Sequence, residues 1–184
     1  MKGVERAAYH EAGHLVVAVI KRVEVGTLGI LIDDCGHGYT ALRLRPPGAS
    51  PDYPISREAS IVVLFAGLMS EKEFDSECTG KSASCDLARI RELEHEEHQL
   101  MEVDSLRLES ERLVRDHWVA VEHLAKALLA KDYNSRENLK EQNEEKRWSG
   151  SLVARRLPPD EIVVILAGTM PSYNVQLKEE QIID

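Results

Sequence analysis

Residues 4–23, VERAAYHEAGHLVVAVIKRV, decide the fold of this chain. Small or apolar side chains recur there at helical spacing, at Ala8, Ala12, Leu15 and Val19, and no proline interrupts them. The pattern predicts a helix over the whole stretch. The polar residues inside this helix then decide which chemistry the chain can support.

Two histidines, His10 and His14, lie one helical turn apart, which places both imidazoles on the same face of the helix. Both rings can then reach one zinc ion at Zn–N distances of about 2.0–2.1 Å. Glu11 follows the first histidine and is left unligated, so it is predicted to be a general base. The small Ala12 and Gly13 leave room for a neighbouring backbone. The alternative is a pair of satisfied core or surface histidines beside a solvated glutamate.

A catalytic zinc needs a third protein ligand, and Asp86 is the main candidate. It follows the polar loop 79–84 at the start of a predicted helix, where a rigid element would hold its carboxylate. The alternative is that Asp86 only complements the dipole of that helix. From the residues alone, both interpretations stay open.

Other polar residues give weaker signals. His95 and His98 are spaced to share a metal, but the charged run around them is more typical of a solvated helix face. Cys78 and Cys85 are too far apart for a zinc knuckle and are expected to be small buried residues. His37 is expected to contact substrate or nothing. His117 and His123 are expected to be structural.

The remaining pattern predicts a mainly α fold with one small β-hairpin. Gly26 ends the first helix. The predicted elements are strands at Thr27–Ile32 and Tyr39–Leu44, a helix capped by Ser56 and ending near Phe74, a helix from Ser82 or Ser84 to about Met101, one long helix at Ser105–Lys131, a charged helix at Ser135–Trp148 and an apolar stretch at Ile162–Leu166. We expect one domain over residues 1–148. Residues 149–184 form a C-terminal tail with no assigned role, and packing on that domain is one arrangement.

The composition of the 184 residues, with 43% hydrophobic and 30% charged side chains, is typical of a soluble globular protein. A net charge of −9 without a basic block argues against nucleic acid as a partner. No apolar run reaches the roughly 18 residues of a membrane span, and no signal peptide is recognised. Three cysteines without a CxxC pair favour a reducing compartment, so a cytoplasmic location is expected.

Beyond the motif, the sequence resembles the peptidase domain of the FtsH-type ATP-dependent zinc metalloproteases. The segments that carry the resemblance are AYHEAGHLVVA at 8–18, VGTLGI at 25–30 with GYT at 38–40, LFAGLMSE at 64–71, TGKSASCDL at 79–87 and VEHLAKALL at 121–129. They occur in the family's order and cover the chain from Val4 to about Arg147. The resemblance implies that Asp86 is the third zinc ligand.

The sequence also departs from the family pattern. The family's ATPase module and membrane anchor have no counterpart in it, and Gly80-Lys81-Ser82 lacks the upstream glycine of a nucleotide-binding loop. Cys85 stands where the family has asparagine, beside the expected ligand. We therefore expect a peptidase that works without ATP, or one served by a separate ATPase chain.

The sequence thus predicts a zinc metalloendopeptidase that cleaves peptides or unfolded segments. Zn²⁺ would be held by His10, His14 and Asp86, with Glu11 as the base. The predicted hairpin would offer an edge strand to an extended substrate, with Tyr39 and Thr40 beside it. The alternative is a weakly active or inactive binding or regulatory module that retains the fold. A homo-oligomer is a further expectation.

Overall fold

The structure is a computed structural model that describes residues 2–80, 82–95, 103–135 and 153–177. These residues form a mainly helical fold with one antiparallel sheet, as predicted. The helices are α1 (Lys2–Ile20), α2 (Arg57–Phe74), α3 (Ser84–His95), α4 (Val103–Asp116), α5 (Trp118–Leu129) and α6 (Pro159–Thr169). The strands are β1 (Val25–Asp33), β2 (Gly38–Leu42), β3 (Asn134–Ser135) and β4 (Val153–Leu157).

Helix α1 is buried from Ala7 to Val19 and packs against α2, α5, β1 and β2. Its apolar side chains therefore join the main hydrophobic core with those of α5 and α6. The helix ends earlier than predicted, because Arg22 adopts a left-handed conformation with φ 57°. The amide of Val23 then donates to the carbonyl of Ala18 at 2.8 Å, which closes the helix in a Schellman-type turn well before Gly26.

The sheet has the strand order β2-β1-β4-β3, with every pairing antiparallel. The predicted hairpin is present as β1 and β2, and β2 lies at one edge of the four described strands. Strand β4 was not predicted. It pairs with the other side of β1, where Ile32 faces Arg155, so part of residues 149–184 belongs to the same sheet.

Residues from the expected tail also supply core side chains. Leu157, Ile162 and Leu166 are almost completely buried and belong to the same cluster as Leu15 of α1. The apolar stretch predicted at Ile162–Leu166 is the middle of α6. Residues 153–177 therefore pack on the body formed by the earlier elements.

The prediction of one long helix at Ser105–Lys131 is wrong. The helix is interrupted at His117, whose φ of −118° departs from helical geometry and whose ring donates from Nδ1 to the carbonyl of Leu113 at 3.0 Å. The break redirects the chain, so that α4 packs on α2 while α5 packs on α1. Apolar periodicity alone does not reveal such a break, because both halves keep their inward faces.

The second predicted helix is confirmed as α2, and the side chain of Ser56 accepts from the amide of Ala59 as its N-cap. The third helix begins at Ser84, and its described part ends at His95. The rest of its predicted length, His98 and nearly all of the predicted helix Ser135–Trp148 lie outside the described residues. No helix among the described ranges has the length and apolar character needed to cross a bilayer.

The expectation that Cys78 and Cys85 are buried is wrong, since Cys85 is exposed and Cys78 only partly buried. Cys85 is the second residue of α3, and the buried side chains of this helix, Ile90 and Leu93, come later in it. The thiol of Cys78 lies in the loop after α2, where it donates to a carboxylate oxygen of Glu71 at 2.9 Å.

Candidate metal centre

Three ligand-type atoms converge between α1 and the first turn of α3. Nε2 of His10 lies 2.9 Å from Nε2 of His14 and 3.0 Å from Oδ2 of Asp86, and the third side of the triangle is 3.3 Å. Both histidines are buried, while the side chain of Asp86 is 20% exposed. Residues 76 positions apart in the chain are thus brought together, as the predicted ligand set requires.

The size of this triangle fits one small metal ion. Three ligand atoms at about 2.0–2.1 Å from a tetrahedral zinc are separated from one another by roughly 3.3 Å. The observed sides are equal to this value or a few tenths of an ångström shorter. A small outward movement of the three side chains would therefore accommodate the ion, and two imidazoles with a carboxylate form a donor set that suits zinc.

The far side of each imidazole ring is held by a hydrogen bond. Nδ1 of His10 donates to Oε1 of Glu71 at 2.6 Å, and Nδ1 of His14 donates to the carbonyl of Val63 at 2.7 Å. Both partners lie on α2. These bonds orient the rings and leave each Nε2 directed at Asp86, which is the arrangement typical of histidines that bind metals.

Close approach of α1 and α2 requires glycine at two points. A Cβ on Gly67 would lie 2.6 Å from Nε2 of His10 and from Nε2 of His14. A Cβ on Gly13 would lie 2.7 Å from the carbonyl oxygen of Ala66. The bare backbone of α2 therefore forms one wall of the metal centre, and the predicted role of Gly13 in admitting a neighbouring backbone is confirmed.

Glu11 is buried with 6% exposure, which rules out a solvated glutamate beside the histidines. The hydroxyl of Thr40 on β2 donates to its Oε2 at 2.6 Å. Burial raises the pKa of Glu11 above its ordinary value, although the charges of His10 and His14 oppose the rise. A carboxylate of raised pKa is suited to take up and return a proton near neutral pH.

The acidic and basic groups of the centre are tightly coupled. Burial lowers the pKa of His10, but hydrogen bonds to Asp86 and Glu71 outweigh it and raise the pKa to about 10. For Asp86, burial raises the pKa, and the charge of His14 with the bond from His10 brings it well below the usual range. Without a metal, the centre therefore holds protons between its imidazoles and carboxylates.

Tyr39, the other predicted substrate contact, lies on the opposite face of the sheet from Thr40. Its ring packs with Leu31 and Ala154 in a separate small cluster, away from Glu11. Neighbouring strand residues point to opposite faces, so the two side chains cannot both face the metal centre. The structure brings Thr40 to the centre and leaves Tyr39 outside it.

Glu71, which the sequence pattern did not single out, also belongs to the centre. It is completely buried, and besides His10 it accepts from the hydroxyl of Ser82 at 2.5 and 2.6 Å through its two oxygens. One signal was available: Glu71 continues the inward row of Leu64 and Leu68 on α2 at helical spacing. An acidic residue in such a row needs a buried partner.

A second group of metal-ligand types, formed by Asp33, Asp34 and Cys35, lies in the turn between β1 and β2. Asp33 is buried there, but its carboxylate accepts from the amides of Cys35 and His37 and from the His37 ring, at 2.8–3.0 Å. These bonds stabilise the turn and explain why an acidic side chain is buried at this position. They also place His37 in the turn itself.

Comparison with models of known protein families gives no match, and comparison with curated proteins gives none either. The resemblance to FtsH-type peptidases therefore stays a prediction that rests on the motif segments.

Proposed function

We propose that the protein is a zinc metallopeptidase that hydrolyses peptides or unfolded segments without ATP. The observation that carries the proposal is the convergence of two imidazole nitrogens of α1 and one carboxylate oxygen of α3 within 3.3 Å of one another, beside the buried Glu11 of α1. His10, His14 and Asp86 would hold the ion. Three protein ligands leave a fourth position for chemistry, as catalytic zinc requires.

When bound, zinc supplies Lewis-acid polarisation of a carbonyl and makes water a stronger acid. Glu11 would accept the proton of the attacking water and return it to the leaving nitrogen. Its burial supports this role, because the raised pKa reduces the cost of holding the proton between the two steps. Proton uptake and release then stay within one side chain.

The edge strand β2 supports a peptide as the substrate. Gly38 and Thr40 of this strand lie against Glu11, so an extended chain paired to β2 at the edge of the four described strands would run past the candidate metal centre. Main-chain pairing of this kind gives affinity with little dependence on side chains. It also requires the substrate segment to be unfolded.

The test is hydrolysis of a fluorogenic peptide library and of casein by the zinc-loaded protein, with no nucleotide present. Glu11→Gln should bind zinc as the wild type does, and its kcat should be lower by roughly 10²- to 10⁴-fold. Asp86→Asn should lose both zinc and activity. Asp104→Asn is the matched control, since its side chain is 93% exposed on α4.

Equal cleavage by the wild type and Glu11→Gln would overturn the mechanism. Stoichiometric zinc without cleavage of any substrate would favour the alternative of a binding or regulatory module. Unchanged zinc content in Asp86→Asn would place the ion elsewhere.

A further inference from the structure

We propose that Gly38 and Thr40 of β2 form a cradle that positions the carboxylate of Glu11, and that Thr40 acts on Glu11 rather than on substrate. The inference rests on the proposed function for its catalytic consequence. Its structural basis is independent of that function. Two residues of an edge strand contact the same buried side chain of α1.

The first contact is a hydrogen bond. Oγ1 of Thr40 lies 2.6 Å from Oε2 of Glu11 and 3.1 Å from the carbonyl oxygen of the same residue. A hydroxyl has one proton to donate, and the shorter distance together with the negative charge favours the carboxylate. The carbonyl contact places the hydroxyl within reach of both ends of the Glu11 residue.

The second contact is steric. A Cβ on Gly38 would lie 2.5 Å from Cγ and 2.7 Å from Cδ of Glu11, so no other residue type fits while the carboxylate stays in place. The backbone of β2 therefore packs directly on the side chain. Movement of the carboxylate towards the strand is blocked, and the hydroxyl of Thr40 restrains its rotation.

Strand geometry explains why these two residues act together. Gly38 and Thr40 are two positions apart and thus point to the same face of the sheet. They pair with Ile32 and Ile30 of β1, whose side chains are buried against α1. Thr40 is also β-branched and therefore stiff about χ1. The cradle is thus held by β1, an inner strand of the described sheet.

The position of the cradle has a kinetic consequence. A general base must lie within hydrogen-bond reach of the proton that it removes, and a displacement of about 1 Å can cost roughly 100-fold in rate. Loss of the cradle should therefore lower kcat and leave KM unchanged. If Thr40 instead contacted substrate, KM would rise.

The kinetic test compares Thr40→Val with Thr40→Ser in the zinc-loaded protein. The valine variant keeps the shape and loses the hydroxyl, and kcat should fall by roughly 10- to 100-fold at constant KM and zinc content. The serine variant should restore most of kcat. Thr169→Val, which removes a hydroxyl bonded to a carbonyl within α6, is the control. A rise in KM with unchanged kcat would overturn the proposal.

A second measurement does not depend on activity. The unfolding free energies of the wild type, Thr40→Val, Glu11→Ala and the double variant form a cycle that isolates the coupling of the two side chains. We expect a non-additive double variant. Additive effects would overturn the proposal of a cradle. Coupling in a protein that cleaves no substrate would support the cradle and reject the peptidase function.

Gly38→Ala should reduce zinc-dependent turnover in the same way as Thr40→Val. Normal turnover in this variant would contradict the steric contact.

Discussion

Nδ1 of His10 lies 2.6 Å from Oε1 of Glu71, a carboxylate with no solvent exposure. The hydrogen bonds from His10, Cys78 and Ser82 outweigh the effect of burial and lower the pKa of Glu71, so it stays ionised. An ionised acceptor fixes the proton of His10 on Nδ1. The opposite nitrogen, Nε2, is then the one available to a metal.

Removing this carboxylate should weaken metal binding. We expect Glu71→Gln to lower zinc affinity by roughly 10- to 100-fold, because partners of metal-binding histidines typically have effects of that size. Competition with a chromophoric chelator would measure it. Glu73→Gln changes a partly exposed acid near the end of the same helix, which pairs with Arg115, and should bind zinc normally. Equal zinc affinities of the two variants would show that Glu71 does not contribute to metal binding.

Zinc uptake should release protons. Hydrogen bonds to Asp86 and Glu71 outweigh burial and raise the pKa of His10 to about 10, so this ring holds an extra proton at neutral pH in the metal-free protein. The neighbouring Asp86 also raises the pKa of His14, against the effect of burial. Each proton displaced makes affinity rise by about tenfold per pH unit. Titration calorimetry in two buffers of different ionisation enthalpy would count the protons, and identical apparent enthalpies would contradict the prediction.

The same shift affects stability without metal. Because the folded pKa of His10 lies above its ordinary value of 6.5, the stabilisation is complete below pH 6.5 and is lost as pH rises through about 10. Urea unfolding of the chelator-treated protein at several pH values between these limits should show the decline. The variant His10→Asn should flatten it.

The glycine wall of the centre should not tolerate a methyl group. In Gly67→Ala the new Cβ would lie 2.6 Å from Nε2 of both histidines, so the variant should lose zinc affinity and about 1–3 kcal/mol of stability. In Gly168→Ala on α6 the new Cβ meets no atom within 4 Å. That control should keep its affinity and be unchanged or more stable by up to about 1 kcal/mol in chemical denaturation.

Buried side chains of α6 should contribute to the unfolding free energy of the whole fold. Leu166 is 1% exposed in the main core, and Leu166→Ala should cost about 2–5 kcal/mol. Val164 on the same helix is 72% exposed, and Val164→Ala should stay within about 0.5 kcal/mol of the wild type. Thermal unfolding of both variants compares them directly. Similar losses, or none in either variant, would contradict the packing of α6.

The convergence of His10, His14 and Asp86 was predictable only in part from local signals. The spacing of His10 and His14 fixes their common face, and Asp86 opens a helix after a polar loop. The choice of Asp86 nevertheless depended on a resemblance, since no local pattern specifies which carboxylate approaches from another element. Glu71 has a local signal, its place in the inward row of α2, but that signal does not name its partner. Its role depends on the meeting of α1 and α2.

The sheet was predictable only in part. Strands β1 and β2 follow one another in the chain and are joined by a glycine-rich turn, which is a local hairpin signal. Strand β4 contains Arg155 and Arg156, so it lacks the apolar alternation of a typical strand. The guanidinium of Arg156 instead reaches the carbonyls of Thr27 and Leu28 on β1. Only the three-dimensional pairing reveals this use of arginine.

The position of β4 beside β1 sets an order for biosynthesis. Ile32 leaves the ribosome long before Arg155, its partner across the sheet, so one side of β1 must wait unpaired during translation. Contacts between such distant segments are slow to form. Helices α1 and α2, which hold the two histidines and Glu71, are synthesised early and meet within a short span. We expect α1 and α2 to pack against each other in nascent chains stalled after α3, before β4 pairs with β1. Crosslinking of arrested ribosome complexes would reveal this order.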